Sequence, residues 1–311
     1  MERDFKYPPL IFNVYKPAGI SSYDVVRHFK RKLPPGYGKI GHFGTLDPFA
    51  EGVLLIGVAG ATRINDYVHQ YLPKTYVAVG KLGVFTETGD MTVPISQTDD
   101  SAYLTQTISR FSLQFINEQI KQKFLGSYLQ SPHKYSAAKF EGKPLHQWAR
   151  EGVEVVKEEV ERQIYELAAT DYSFPYLTIE STVSSGTYVR TLFKDCAEYL
   201  GTLGTLERLI RTAIGHLKSD EALQENQWPD GTLSWDPLQF GHTMDQVLPF
   251  PHLTLSELET KRYGNGIALS IDSPQPEWGP QLYWVRSDKS RLLGLGKWLN
   301  GELKPIFNLP Q

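Results

Sequence analysis

From Gly52 to Ala61 the chain carries no polar side chain, and this run, its longest of the kind, constrains the fold more than any other feature. Within it, Val53-Leu-Leu-Ile-Gly-Val58 has the length of a strand and shows no alternation of polar and apolar residues. That pattern predicts a strand covered on both faces. It falls well short of the roughly 18–20 apolar residues that a membrane helix needs. A strand buried on both faces requires layers on either side of its sheet. With 311 residues, 41% of them hydrophobic, the chain has material for such a core and for a second domain. The single cysteine, Cys196, excludes a disulfide framework and any multi-Cys zinc site. The opening Met-Glu-Arg-Asp-Phe-Lys does not resemble a signal peptide, so a cytoplasmic protein is expected.

The formal net charge of −3 rules out a uniformly basic coat, though not a basic face. Charge is unevenly spread. Between Tyr23 and His42 lie Arg27, Lys30, Arg31, Lys32 and Lys39 against Asp24 alone, whereas Ser219 to Pro251 holds six acidic residues and no Lys or Arg. The first stretch suits either a solvated helix face or an anionic partner.

Around the apolar run, Leu10–Tyr15 reads as a strand broken by Lys16-Pro17-Ala18-Gly19. Ser21 or Ser22 can cap a helix whose apolar positions are Val25, Val26 and Phe29. Gly41-His42-Phe43-Gly44 is a flexible loop leading to Thr45-Leu46-Asp47-Pro48. Thr75–Leu82 and Leu177–Val183 read as strands, residues 101–125 carry helical spacing, and Thr191–Leu200 has a helical apolar set. The acidic stretch 219–250 reads as a connector. Residues 251–311 contain strand-like pieces and one helix within Leu253–Tyr263, which suggests a small β-rich domain.

The sequence has no phosphate-binding glycine loop, no dinucleotide fingerprint, no His-Glu-x-x-His and no nucleophile elbow. Nucleotide, metal and serine-hydrolase chemistry therefore lack their usual marks, and neither a cofactor nor a metal is expected. Asp47 precedes a proline between a glycine-framed loop and the buried strand. It is either a turn device or a carboxylate presented at a strand edge, able to act as nucleophile or base. Arg190 can hold a carboxylate bidentately or lie on the surface. Tyr76 is either core or a platform on which a base stacks, and His42 is either structural or functional.

Taken together, these segments resemble the TruB family of tRNA pseudouridine synthases. Gly41-His-Phe-Gly-Thr-Leu-Asp47-Pro48 followed by Gly52-Val-Leu is similar to the family's signature loop, and Lys16-Pro17-Ala18-Gly19 to its opening motif. Lys74-Thr75-Tyr76, with Leu82-Gly83 and Thr86-Glu87-Thr88-Gly89-Asp90, resembles the second block. Tyr135–Lys139, Gly142-Lys143 and Ala149-Arg150 resemble its RNA-gripping thumb. Gly186-Thr187-Tyr188-Val189-Arg190 and Leu209-Ile210-Arg211-Thr212 are similar to the last blocks of the catalytic domain. Two positions depart from the pattern: Phe43 replaces a usual Thr or Gly, and Glu51 a usual small residue.

The resemblance implies an α+β fold with a mixed, mainly antiparallel sheet. A catalytic domain would span residues 1–250, with a thumb at about 130–151, and a PUA-like β-barrel domain residues 251–311. It implies isomerisation of uridine to pseudouridine at position 55, in the T-loop of tRNA, with the target base flipped out. Asp47 would be the nucleophile, Arg190 its counter-charge, and Tyr76 a stacking partner that takes part in proton transfer. Tyr188 and Leu209 would line the uridine pocket, Lys16 would support the loop, and His42 would fill the vacated stack. Lys134, Lys139, Lys143 and Arg150 would grip phosphates in a thumb of net charge +2 over residues 130–151. The T-arm would be the partner of a stand-alone monomer with no obligate protein partner and no membrane. Other readings are a tRNA-folding chaperone with secondary catalysis, a subunit guided by a separate RNA, and a glycosidase. The last would need a second acid or base about 5–10 Å from Asp47.

Overall fold

The computed structural model describes residues 7–131, 139–140, 142–144, 148, 151, 158–232, 235–271 and 281–309. In chain order the first strands are β1 (Leu10–Lys16), β2 (Gly41–His42), β3 (Glu51–Val58), β4 (Lys74–Leu82), β5 (Val84–Phe85), β6 (Gln97–Thr98) and β7 (Gly126–Gln130). They are followed by β8 (Lys139–Phe140), β9 (Lys143–Pro144), β10 (Val160–Ser173), β11 (Tyr176–Val183), β12 (Gly204–Ile214) and β13 (Leu217–Lys218). Nine of these form one sheet in the order β1-β3-β12-β4-β11-β10-β7, with β2 paired to β3 and β13 to β12. Every ladder is antiparallel except the short parallel one that sets Ile210 and Arg211 of β12 beside Glu51 and Gly52 of β3. The expected mixed, mainly antiparallel sheet is what the chain builds.

The apolar run becomes β3, with Val53 to Ile56 and Val58 fully buried between β1 and β12. Gly52 makes the parallel junction sterically feasible. At φ +109° a Cβ there would lie 2.2 Å from the Arg211 carbonyl oxygen, so only glycine lets the two strands meet.

Helix α1 (Ser22–Lys32) starts at a capping box in which Ser21 and Asp24 bond each other's backbone N–H groups. It buries Val25, Val26 and Phe29 against β1 and β3. Lys30, Arg31 and Lys32 form its last turn, where cations complement the helix dipole; this accounts for the basic run without a ligand. Helix α2 (Asn65–Tyr71) leads into β4. The helical spacing of 101–125 is realised as two pieces, α3 (Ala102–Gln106) and α4 (Leu113–Phe124), separated by a 3₁₀ turn. The break follows from Ser112, whose hydroxyl accepts from the Phe115 N–H and caps a new helix start. With α5 (Val189–Tyr199), α4 covers one face of the sheet.

The stretch 219–250 is more than a connector. Its backbone pairs with β1, Leu223 with Asn13 and Tyr15, and His242 with Ile11. Leu223 and Trp228, with Trp235 and Phe240, pack against Phe12 and Phe29. Apolar residues spaced among the acids shield an otherwise open sheet edge. The helical turns α6 (Pro237–Phe240) and α7 (Met244–Val247) belong to this strap.

Beyond it a second sheet runs β14-β16-β17-β18-β15, from β14 (His252–Leu255), β15 (Leu269–Ser270), β16 (Leu282–Ser287), β17 (Leu292–Leu299) and β18 (Glu302–Asn308). Helix α8 (Glu257–Gly264) packs on it through Tyr263. Trp284 of this sheet is fully buried among Ile11, Val53, Leu248 and Phe250, and donates from Nε1 to the Leu248 carbonyl at 2.6 Å. Among the described residues, no helix is long and apolar enough to cross a membrane.

Candidate active site

The loop between β2 and β3 carries Asp47, and three buried polar side chains from elsewhere hold it. Ser22, at the start of α1, accepts from the Leu46 N–H at 2.8 Å and donates to the Leu46 carbonyl at 2.9 Å. Lys16, fully buried at the end of β1, donates to the carbonyls of Pro17, Ile20 and Pro48. Arg211, buried in β12, donates to the carbonyls of Val53 (2.7 Å), Gly44 (3.1 Å) and Thr45 (3.5 Å). The turn closes with the Ala50 N–H on the Asp47 carbonyl. Asp47 thus stands on backbone fixed from both sides, with its side chain 37% exposed.

Arg190 reaches it from the first turn of α5. Nη2 lies 3.0 Å from the Asp47 carboxylate, while Nη1 donates to the Thr88 carbonyl at 2.5 Å and lies 3.3 Å from Asp90. The fork is therefore divided between two partners instead of gripping Asp47 bidentately. Asp90 is itself held by the Thr92 backbone N–H and hydroxyl.

Asp47 and Arg190 open onto a cleft of about 230 Å³ lined also by Tyr76, Tyr188 and Leu209. This is below the roughly 300–1,000 Å³ of sites for drug-sized molecules and suits a single base. Tyr76 is buried on the inner face of β4 and Leu209 on β12 beside it. Tyr188 precedes α5, its backbone N–H and carbonyl both bonded to the Gln130 amide. Five of the residues singled out from sequence therefore converge. His42 and Lys16 lie outside the lining. His42 sits in β2 with Nδ1 buried and unpartnered, and burial lowers its pKa.

The cleft also holds residues that the pattern analysis did not single out: Lys74, His69, Ser185 and Arg211. The Lys74 ammonium donates to the Ser185 hydroxyl at 2.5 Å and lies 3.4 Å from His69 Nδ1, which is 2.6 Å from the same hydroxyl. Burial, with the Arg211 charge nearby, brings Lys74 down to about 7; burial and Lys74 bring His69 down to about 4. Burial and Arg211 also lower Lys16 to about 8. For Lys74 and Arg211 the signal in the sequence was membership of the Lys74-Thr75-Tyr76 and Leu209–Thr212 segments; His69 and Ser185 lie outside the matched motifs. Among the described residues, no group of three His, Cys, Asp or Glu could hold a metal ion.

A profile described as TruB family pseudouridylate synthase (N terminal domain) matches residues 30–189, just over half of the chain. The chain belongs to the TruB family. A protein named tRNA pseudouridine synthase B from Thermosipho melanesiensis is 34% identical over 84% of this chain and 80% of its own length. Another of that name, from Acaryochloris marina, is 32% identical over 96% of this chain and 98% of its own. A solved chain from a Cbf5–Nop10–Gar1 complex superposes with a TM-score of 0.65 at 22% identity, covering 93% of this chain and 78% of that one. The last likeness is one of fold.

The two TruB-pattern departures are accommodated structurally. Phe43 is a core residue packed against Gly57, where no Cβ would fit. Glu51 accepts from Tyr15 and pairs with Arg208 at 2.7 Å. Of the thumb, Lys134, Arg150 and the side chains of Lys139 and Lys143 lie outside the described residues; the backbone of the last two pairs in β8–β9.

Proposed function

We propose that this TruB family member isomerises the T-loop uridine at position 55 of tRNA, with Asp47 as the nucleophile. The observation that carries the reading is a carboxylate on clamped backbone, 3.0 Å from a buried arginine, at the mouth of a base-sized cleft containing Tyr76. In the reaction the N1–C1′ bond breaks, the base turns, and a C5–C1′ bond forms. The C5 proton is lost and N1 gains one, so the atoms balance without a co-reactant. A carboxylate suits the first step because it is ordinarily ionised at neutral pH and can leave once the base has turned. Attack at C1′, addition at C6 and a glycal route are all open to this carboxylate.

The Arg190 guanidinium neutralises and aims the carboxylate. Tyr76 stacks on the target base and serves the later proton transfer, while Tyr188 and Leu209 frame it. Reaching this cleft requires the uridine to leave its stack, at a few kcal/mol. His42 would fill the gap, Lys16 would support the loop, and the thumb lysines with Arg150 would hold phosphates. We read residues 251–311, with their separate sheet, as a PUA-like RNA-binding unit, and the chain as a cytoplasmic monomer acting on the T-arm without an obligate protein partner.

The test is tritium release from C5-labelled uridine in a T-arm stem-loop, run beside Asp47→Asn. Release by the native protein alone supports the reading. Release by neither, with tight tRNA binding, favours the chaperone or a catalytic subunit missing its partner.

A further inference from the structure

Lys74 and Arg211 are both nearly or fully buried, and among the described residues neither meets a carboxylate: their hydrogen bonds go to Ser185, His69 and backbone carbonyls. The acid sharing the cleft, Asp47, is taken by Arg190. A desolvated cation without a counter-ion costs several kcal/mol, and an anion arriving with the substrate would offset that cost.

The protons in this group can be assigned. A protonated Lys74 only donates, so in that form His69 Nδ1, 3.4 Å away, is the lone-pair side of a neutral ring. The Ser185 hydroxyl accepts from Lys74 and donates to Nδ1 across the 2.6 Å contact. That leaves His69 Nε2–H and the remaining Lys74 protons without a described acceptor in the group. Its low basicity keeps His69 neutral at pH 7, consistent with this tautomer.

Position completes the argument. Lys74 and Tyr76 are alternate residues of β4 and share its buried face. Two strand residues span about 7 Å, comparable to the distance from a pyrimidine ring to its own nucleotide's phosphate. We propose that Lys74, His69 and Ser185 form a phosphate-holding subsite that takes a backbone phosphate flanking the flipped uridine while its base lies on Tyr76. The subsite rests on the uridine-isomerising reading above.

The experiment is a cycle between protein and RNA. T-arm stem-loops carry a neutral methylphosphonate on the 5′ or the 3′ side of the target uridine, and are assayed with the native protein, Lys74→Met and Ser185→Ala. With the native protein, neutralising one of the two positions raises KM about tenfold and changes kcat little, because a contact present in both ground and transition states acts on binding. Lys74→Met raises KM on the ordinary stem-loop by a similar factor, and the methylphosphonate then adds no further loss; Lys74→Arg restores most of the binding. Lys74→Met removes a buried charge at nearly constant volume, so a folded protein is expected. If it fails to fold, the same cycle on Ser185→Ala decides. Penalties that multiply at both positions, or a native protein indifferent to both methylphosphonates, overturn the subsite. Absence of tritium release from the ordinary stem-loop with the native protein instead overturns the underlying functional reading.

Discussion

Arg190 meets Asp47 with only one end of its guanidinium, at 3.0 Å, because the other end is committed to Asp90 and the Thr88 carbonyl. The buried Asp90 therefore aims the arginine without lining the cleft. Replacing Asp90 with Asn keeps the shape and removes the charge that fixes Nη1. We expect kcat to fall on the order of 100-fold, the loss typical of a reacting group misplaced by about 1 Å, with tRNA affinity within severalfold. Equal losses in kcat and affinity would mean that Asp90 supports the RNA-binding surface instead.

Arg211 binds three backbone carbonyls across β3 and the Asp47 loop. Arg211→Met leaves those oxygens buried without a donor, at about 1–3 kcal/mol for each one not rescued by water. A total loss of about 3 kcal/mol in denaturant-derived stability is expected, together with slower turnover from a loosened loop. Arg211→Lys should recover only part of it, since one ammonium cannot span the three acceptors. Native stability in Arg211→Met would show that the loop holds itself.

Asp47, Tyr76 and Arg190 each allowed two readings on pattern alone and were singled out by the resemblance to the TruB family; the fold brings all three to one cleft. Lys74 and Arg211 also lay in segments similar to the family's, yet neither was singled out. Their roles depend on partners at Ser185 and Gly44, which adjacency in sequence does not reveal. The same logic explains β10. Two register shifts, at Ile164/Glu166 and Ala169/Asp171, break its alternation, so a 14-residue strand leaves no period-2 trace. β3 was readable because burial on both faces writes a continuous apolar run. The strap over β1 was not, because a segment that covers an edge with scattered side chains has no period at all.

His69 gives a pH prediction. Its folded pKa is about 4 against 6.5 for an ordinary histidine, owing first to burial and then to Lys74. Between those values the unfolded chain takes up a proton that the folded protein refuses. His69 therefore contributes falling stability as pH drops from 6.5 to 4, no loss above 6.5, and no further loss below 4. His69→Asn keeps an acceptor near the Nδ1 position without the titration. Its unfolding free energy should be less steep in pH than the native protein's within that window and parallel to it above pH 7. Parallel curves throughout would refute a buried neutral His69.

His42 and Asp47 are five residues apart, yet only Asp47 lines the cleft, and this separates their expected effects. Burial lowers the His42 pKa, so near neutral pH the ring is uncharged and suited to the proposed stacking role. Removing one aromatic–base stack costs about 1–3 kcal/mol, so His42→Ala should slow single-turnover tritium release by about tenfold to a hundredfold. Asp47→Asn removes the proposed attacking group and should lower the rate by at least about 10⁴-fold, with tRNA binding within severalfold. The two variants, measured at saturating protein on one T-arm stem-loop, must therefore differ by at least about two orders of magnitude. A His42→Ala rate as low as that of Asp47→Asn would place the imidazole in the bond-breaking chemistry. Loss of tRNA binding in Asp47→Asn would make the carboxylate a structural element of the loop.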